Sequence, residues 1–576
     1  MFGKSSRNNH LFKEVMMKIK FPFAIKLLLA FTLLILITGC PSARQLAQPL
    51  TQPINLIPDK PGKTPSYWCT WGAQNYASTD TAFEYCVELK GHFAIADTLT
   101  EKSVFHDPGW ANYFEKARSD LFLMFDLGWD TPKGVDFDGK RWRLGTLELA
   151  TEKFPSCTGT PAERLWKLNQ LAKDAGWRGA GIWLASQAPG DEKDGKFMDD
   201  KALDEYWRQR ARWTRYAGIE YWKVDYGARG GRPEFRRLLT RIAAEEAPGL
   251  IVEHGRGSGP LNDEECPWDT ENYHRTGGYR NWDNGGVLKQ AATLAEFSRI
   301  LRTYDVTAYF SIPTTLDRVA QILAEFSNRS DINCIINCED EPYIAAVLGC
   351  AMGILRHPLW RDELPDFQYD PSNFRKRIDE VTRAVRWHRI APAFAVGKTE
   401  NLLDKDVLID TWRFRHGDSW ATWMDGRESL QIAPARVARG MPLPEVTVPD
   451  KGPAPYVIAS RHPNGAVSVA TLPRISPGRG AYFPLADVSI EIANSASPIG
   501  IFGRYKSLTL NLPAELSTPR VLAQDLAADS AIDVTGKVKL EGNKIILSGK
   551  LIEKLGLAAA STNDLSEPGL VLVIKK

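Results

Sequence analysis

The sequence predicts an α/β fold: a (β/α)8 TIM barrel over residues 65–395, followed by an antiparallel β-sandwich over residues 396–576. Three observations carry the prediction. Between residues 65 and 390 short apolar runs alternate with amphipathic stretches, the pattern of parallel strands joined by helices. Beyond residue 400 the amphipathic stretches give way to short alternating segments punctuated by Gly, Pro and Asn, as in stacked β-sheets. At 576 residues, 43% hydrophobic and 25% charged, the chain is long enough for a full barrel and a second domain.

The first residues read as an address. Lys18, Lys20 and Lys26 precede an apolar run at 27–37 that ends in Thr38-Gly39-Cys40. A basic start, a short apolar stretch and small residues make a secretory signal. The run is shorter than the roughly 20 residues that span a bilayer. Ile37-Thr38-Gly39-Cys40 resembles a bacterial lipobox, which implies removal of residues 1–39 and lipid on Cys40. The expected protein is exported and lipid-anchored to the cell envelope. Residues 40–64, with Pro41, Pro49, Pro53, Pro58 and Pro61, read as a tether.

Within the barrel region the expected strands are 121–125, 179–184, 219–224, 250–252, 308–312 and 353–355, and helix-like stretches cover 163–175, 201–217, 233–246 and 287–302. The basic stretch 208–215 reads as the solvated face of a helix. In the sandwich the clearest alternating segments are 407–409, 466–470, 507–512 and 570–574.

Charge and cysteine content narrow the function classes. With 72 Lys+Arg against 70 Asp+Glu the net charge is +2, which supplies no electrostatic basis for binding nucleic acid. Apart from Cys40 there are Cys69, Cys86, Cys157, Cys266, Cys334, Cys338 and Cys350, an odd number that leaves at least one thiol unpaired in an exported chain. Cys334 and Cys338 lack a second pair at zinc spacing, so no metal site is expected. The 18 Trp, 17 Tyr and 24 Phe offer flat faces that suit sugar rings, and large cores equally.

A barrel of this type builds its site at the C-terminal ends of its strands. Those ends carry Asp126 and Trp129, then Trp183, then Lys223 and Asp225, then Glu253 and His254; Asp269, Arg275 and Asp283 follow in a Gly-rich region. The sharpest element is Tyr221-Trp222-Lys223-Val224-Asp225. Side chains alternate along a strand, so Lys223 and Asp225 share a side. A cation beside the acid keeps Asp225 ionised and available as a nucleophile. A buried Lys–Asp pair that only stabilises the mouth fits the same spacing.

This segment resembles the nucleophile strand of the melibiase-type glycoside hydrolases, families 27 and 36, whose motif is roughly aromatic-Leu-Lys-x-Asp. Other segments follow the family in order. Pro65-Ser66-Tyr67-Trp68-Cys69-Thr70-Trp71 is similar to its opening strand, and Phe125-Asp126-Leu127-Gly128-Trp129 to its Asp-Asp-x-Trp strand. Gly181-Ile182-Trp183 matches the third unit, Val252-Glu253-His254-Gly255 the Cys-Glu-Trp-Gly strand, and His274-Arg275-Thr276-Gly277-Gly278 the Trp-Arg-x-x-Gly-Asp turn. The resemblance implies a retaining, exo-acting, α-galactosidase-like glycosidase acting on an oligosaccharide or polysaccharide, with no cofactor. Asp225 would be the nucleophile and a second carboxyl the acid/base. Lys223, Arg275, Asp126 and Glu253 would hydrogen-bond sugar hydroxyls, and Trp71, Trp129 and Trp183 would wall the pocket.

Two departures stand out. The family's acid/base Asp follows the glycine of the sixth-strand turn, where this chain has Tyr279; Asp283 is the first alternative, then Asp269 and Glu271. Asp283 in Asp283-Asn284-Gly285 also reads as a turn residue. Second, the paired aspartates that grip galactose are here Asp126-Leu127, which puts galactose itself in question and leaves Asp130 to compensate. A sugar-binding lipoprotein without catalysis, or an inverting enzyme with Asp225 as base, fits the same residues. Glu339-Asp340-Glu341, ahead of a helix-like run, reads as a helix cap.

Overall fold

The computed structural model describes residues 53–79, 85–137, 139–255, 287–303, 311–359, 377–413, 428–449, 452–476 and 480–575. Eight parallel strands run in sheet order β7-β6-β5-β4-β3-β2-β1-β8: β1 Tyr67–Cys69, β2 Phe122–Phe125, β3 Gly179–Leu184, β4 Tyr221–Val224, β5 Ile251–His254, β6 Ile300–Arg302, β7 Ile335–Asn337 and β8 Gly353–Ile354. A parallel bridge between Asn337 and Ala351 joins β7 to the approach to β8 and closes the ring.

Alternation decides what each strand residue does. On β4, Trp222 points outward onto Trp207 and its indole N–H donates to Thr214 Oγ1 at 3.1 Å. Tyr221 points inward with Tyr67, Cys69, Phe122, Met124, Ile251 and Ile300, which fill the lower barrel. The strand register places Lys223 level with Trp183 and Glu253. Connecting helices begin and end on local signals. Thr160 and Glu163 form a reciprocal capping box ahead of helix Pro161–Asp174, and Gly218, at φ +64, ends helix Asp200–Ala217 in the left-handed conformation that glycine adopts without strain. Within that second helix Arg208 and Arg212 are ion-paired toward solvent, whereas Arg210 is buried and lies 3.5 Å over the Tyr206 ring, so the basic stretch is only partly a solvated face.

The sixth strand departs from expectation. Residues 287–302 do not form one helix: helix Val287–Phe297 ends, Ser298 Oγ donates to Leu294 O at 2.6 Å, and Ile300–Arg302 becomes β6. The 308–312 segment is not that strand either, because its described part, from Ser311, opens helix Ser311–Glu325. Strands of three residues are too short to print an alternation, so periodicity assigned them to the adjoining helix.

In the C-terminal region two sheets face each other across one apolar core that includes Val457, Val469, Ile501 and Leu572 from one sheet and Val488, Leu508, Leu510 and Leu547 from the other. Most pairings are antiparallel, as expected. Three pairs among the described residues are parallel: Arg436–Arg439 with Tyr456–Arg461, Val467–Leu472 with Ile499–Phe502, and Asp487–Glu491 with Ser507–Asn511. Between Val467–Leu472 and Ile499–Phe502 the chain visits the opposite sheet, which lets it return in the same direction.

The sandwich is fastened to the barrel by buried polar contacts. Arg383, on helix Ile378–Ile390, makes a two-pronged pair with Asp525 at 2.9 and 3.2 Å, and Tyr343 donates to Glu567 O. Ser468 Oγ donates to Val347 O at 3.1 Å. The stretch before β1 also docks: Leu56 N donates to Gln524 Oε1 at 2.7 Å, and Ile57 is buried.

Candidate active site

Above the apolar lower barrel lies a layer of charge. Asp225, just past β4, receives the Trp183 indole N–H on Oδ2 at 3.0 Å and its neighbour's backbone, Tyr226 N, on Oδ1 at 2.9 Å. Arg302 Nη2 stands 3.1 Å from Oδ1 and Lys223 Nζ 3.9 Å from Oδ2. Burial alone would raise this carboxyl, but Arg302 and Lys223, aided by the Trp183 donor, hold it below the usual carboxylate range. Asp225 is therefore an anion fixed in orientation from three sides.

Lys223 makes its closest contact with Asp126, at 2.7 Å. Asp126 also receives the Cys69 thiol at 2.9 Å and the Leu127 backbone N–H at 2.8 Å. Burial opposes the ammonium, yet Asp126 above all keeps Lys223 above the ordinary lysine value. Cys69 is pushed up by burial and by Asp126, so it serves as a neutral donor.

Arg302 was not singled out from the sequence, and it organises the site. Its guanidinium meets Asp225, Glu253 (3.4 Å) and Glu339 (3.3 Å), carboxyls from three separate strand ends. Gly255 makes this possible, because a Cβ there would lie 2.6 Å from Arg302 Nη2. Glu253 is wholly enclosed. It accepts from Tyr67 OH at 3.0 Å, Tyr221 OH at 2.7 Å and Asn337 Nδ2 at 2.6 Å. Both tyrosines are pushed well up by burial and by Glu253, so they remain donors. Glu253 thus anchors Arg302 from below.

The acidic triplet Glu339-Asp340-Glu341 does not cap the helix that follows it. In the structure Glu341 occupies the N-terminal flank of helix Pro342–Leu348 without a side-chain cap, and its carboxyl accepts from Ser311 Oγ. Glu339 turns into the barrel mouth beside Arg302, with a backbone φ of +49. Burial drives its carboxyl up to about 8, against the opposing pull of Arg302 and Lys223.

The rim is aromatic. Half-buried Trp71 stacks on His92 at 6.3 Å, His92 meets Tyr226 at 6.5 Å, and Tyr226 packs edge-on against Trp183 at 5.5 Å. Leu127 joins Phe137, Leu144 and Trp183 in an apolar cluster on the same side. Trp129 is fully buried and donates to Trp183 O at 2.9 Å, so it backs the wall from behind. Asp130 accepts from Thr146 Oγ1 and Leu147 N, both at 3.1 Å, and is committed to its own loop. His254 is enclosed by Thr240 and Arg236, with burial and Arg236 pushing it well down.

Arg275, Asp283, Asp269, Glu271 and Cys40 lie outside the described residues. The sixth strand ends at Arg302 and not ahead of the turn at 274–278, and the first acid after it in sequence is Asp305, also outside the described residues. The described thiols Cys69, Cys157, Cys334, Cys338 and Cys350 are all buried and unpaired. Among the described residues no group of three or more His, Cys, Asp or Glu is arranged to hold a metal ion.

No family model matches this chain. No curated protein matches it either. Among solved structures it is similar to a GH27 β-L-arabinopyranosidase from Geobacillus stearothermophilus, with 11% identity, 89% of this chain and 97% of that one covered, and a TM-score of 0.40. A protein from Bacillus halodurans C-125 assigned as an α-N-acetylgalactosaminidase gives 11% identity, the same coverages and a TM-score of 0.37. One from Bacteroides fragilis assigned as an α-galactosidase gives 11% identity, 89% and 79% coverage, and a TM-score of 0.36.

Proposed function

We propose that this chain is a retaining, exo-acting α-glycosidase in which Asp225 is the nucleophile. The observation that carries the reading is the setting of Asp225: an ionised carboxylate at the C-terminal end of β4, aimed by the Trp183 N–H, Arg302 and Lys223, under an aromatic rim. The ordered resemblance to the melibiase-type strands supports the same assignment. Asp225 attacks the anomeric carbon as the bond to the leaving oxygen breaks, and water then releases the sugar from the ester. The Asp126–Lys223 pair faces the sugar hydroxyls, and the aromatic rim takes the ring's apolar face.

The substrate we infer is a terminal α-linked pyranoside of a glycan chain. Leu127, in its apolar cluster, stands where the resemblance expects a second aspartate. A sugar altered at the hydroxyl that aspartate would grip therefore suits the site better than galactose. Export and lipid attachment at Cys40 fit an enzyme that works on extracellular glycans; radiolabelled palmitate incorporation, lost in Cys40→Ala, tests that part.

The decisive experiment uses a panel of aryl α- and β-glycopyranosides. Asp225→Asn should abolish turnover of the best α-glycoside while thermal unfolding is unchanged, and proton NMR should detect the retained anomer first. Full turnover by Asp225→Asn overturns the assignment. Sugar binding by calorimetry without cleavage of any member favours a glycan-binding protein instead, and first release of the inverted anomer makes Asp225 a base.

A further inference from the structure

We propose that the rim of this barrel binds an anionic glycan, a chain that carries sulfate or carboxylate groups on the sugars next to the terminal one. This deepens the glycosidase reading and rests on it for the place of the terminal sugar at Asp225; the binding itself can be measured without turnover.

The observation that carries it is a strip of cations laid on aromatic faces along three loops at the C-terminal end of the barrel. Arg141, in the loop after β2, lies 5.6 Å over the Tyr226 ring, and Tyr226 packs on Trp183, the donor to Asp225. Arg141 thus stands one aromatic layer outward from the wall at the nucleophile, which assigns it to the sugar adjoining the terminal one. Beside it, half-buried Trp142 has Arg143 at 5.3 Å and, from the loop after β3, Lys193 Nζ at 4.7 Å. The loops after β3 and β4 supply a third pair, Arg232 at 4.3 Å over Phe197, which is 38% exposed. Arg141, Arg143, Lys193 and Arg232 are exposed. Among the described residues none of them has a carboxylate within ion-pair distance, although Glu192 and Asp194 stand on the same loop as Lys193. A cation over a ring has committed none of its N–H donors to an acid. A neutral glycan would use the rings and leave those donors unmet; a chain with anionic groups uses both.

The strip is also held rigid. The carboxamide of buried Gln187 ties the three loops together: Nε2 donates to Arg141 O at 2.7 Å and Leu144 O at 3.3 Å, and Oε1 accepts the Ala228 backbone N–H at 3.0 Å. Gly190 N donates to Trp142 O at 2.7 Å. Gly145, at φ +91, permits the close approach, since a Cβ there would lie 2.5 Å from Gln187 O. A merely solvated face has no use for this framework, whereas a binding surface gains from it because less is left to order when the ligand arrives.

The wall between strip and nucleophile is free of negative charge. Leu127, Leu144 and Trp183 belong to one apolar cluster, and Tyr226 packs against it. An aspartate at position 127, as the resemblance leads one to expect, would set a carboxylate in that wall and repel an anionic chain. The leucine that argues against galactose therefore suits an anion at the rim. Guanidinium groups meet sulfate and carboxylate alike through paired N–H donors, so either substituent fits.

The test measures binding by calorimetry, with the full chain carrying Asp225→Asn. The probes, matched in length, are oligosaccharides of a sulfated galactan, of polygalacturonate and of a neutral galactan. At least one charged chain should bind about 10-fold or more tightly than the neutral one, by an advantage that shrinks as salt is raised. The better of the two identifies sulfate or carboxylate. Arg143→Gln with Lys193→Gln, and separately Arg141→Gln, should remove most of that advantage while thermal unfolding and binding of the neutral chain are kept. Equal binding of charged and neutral chains, in wild type as in Asp225→Asn, overturns the proposal without any rim variant. So does undiminished selectivity in both rim variants. A single-stranded oligonucleotide or phosphatidylglycerol vesicles bound as tightly as the charged chain would make the strip a general polyanion surface, and a sulfated monosaccharide bound as tightly would place the anion on the terminal ring; either result overturns the assignment. The two readings fail separately. Turnover by Asp225→Asn with anion-selective binding removes the nucleophile and keeps the strip; normal catalysis without selectivity removes the strip alone.

Discussion

Arg302 Nη2 lies 3.1 Å from Asp225 Oδ1, reaching from β6 past β5 to the end of β4, and the same guanidinium reaches Glu253 and Glu339. A planar guanidinium spreads five donors over a wide, rigid fork that reaches three acids here, whereas an ammonium gathers its three donors on one atom and cannot span the same distance. Arg302→Lys should therefore keep a cation in the barrel yet lose contact with Asp225. The nucleophile would then feel burial with less compensation, and its carboxyl would rise. The acid limb of kcat/KM should move to higher pH, with the plateau reduced about 10²-fold. A pH–rate profile beside a melting curve checks this, and an unmoved acid limb would show that Arg302 does not hold Asp225 ionised.

How much of this was legible beforehand depended on the length of the signal. The runs at 121–125 and 179–184 and the helix at 233–246 are long enough to show their period, and they fall where expected. Lys223 and Asp225 were readable because two residues on one strand fix a shared face. Arg302 was not, since β6 has three residues and follows a helix directly. Glu339 was hidden for another reason: an acidic triplet ahead of a helix has an ordinary electrostatic explanation, and only the closed ring reveals which of the three turns inward. Trp129 and Asp130 lay on the right segment, but burial and a loop contact that no local pattern encodes give them supporting positions.

Gly255 is the clearance that lets Arg302 swing over the mouth. A methyl group there would lie 2.6 Å from Nη2 and 2.8 Å from Nε, and the guanidinium cannot simply retreat because three acids hold it. Gly255→Ala should reproduce the Arg302→Lys phenotype, a raised acid limb with a lower plateau, without altering any charge. Steady-state kinetics across pH provide the check; wild-type behaviour would mean that the arginine has room to adjust.

The Trp183 indole gives Asp225 a second kind of support, a neutral donor at 3.0 Å. Trp183→Phe keeps most of the wall against Tyr226 and removes that donor. A hydrogen bond to a charged group is worth about 1.5–3 kcal/mol, which corresponds to a loss of about 10- to 100-fold in kcat/KM. The loss should appear in kcat more than in KM, because Trp183 acts on the nucleophile. A change confined to KM would instead mark the indole as a sugar platform.

The sandwich takes part in the site through one buried acid. Glu380 receives Arg356 at 3.0 Å, Arg377 at 2.6 and 3.0 Å, and the backbone N–H of Glu567 at 3.1 Å. Arg356 in turn fixes Asp340, next to Glu339. Burial opposes the Glu380 charge, but Arg377 and Arg356 outweigh it and hold the carboxyl below its ordinary value. A depressed folded-state value means that the unfolded chain binds the proton more readily. The stabilisation is therefore complete above the unfolded glutamate value, near 4.3, and is lost as pH falls through the folded one. Glu380→Gln, which leaves two buried arginines short of an anion, should cost about 3–5 kcal/mol at pH 7 in denaturant unfolding. The gap from wild type should narrow in acid, where the native carboxyl is itself protonated. If the gap were independent of pH, the contribution of Glu380 would be one of shape, and the link from sandwich to Glu339 would not depend on its charge.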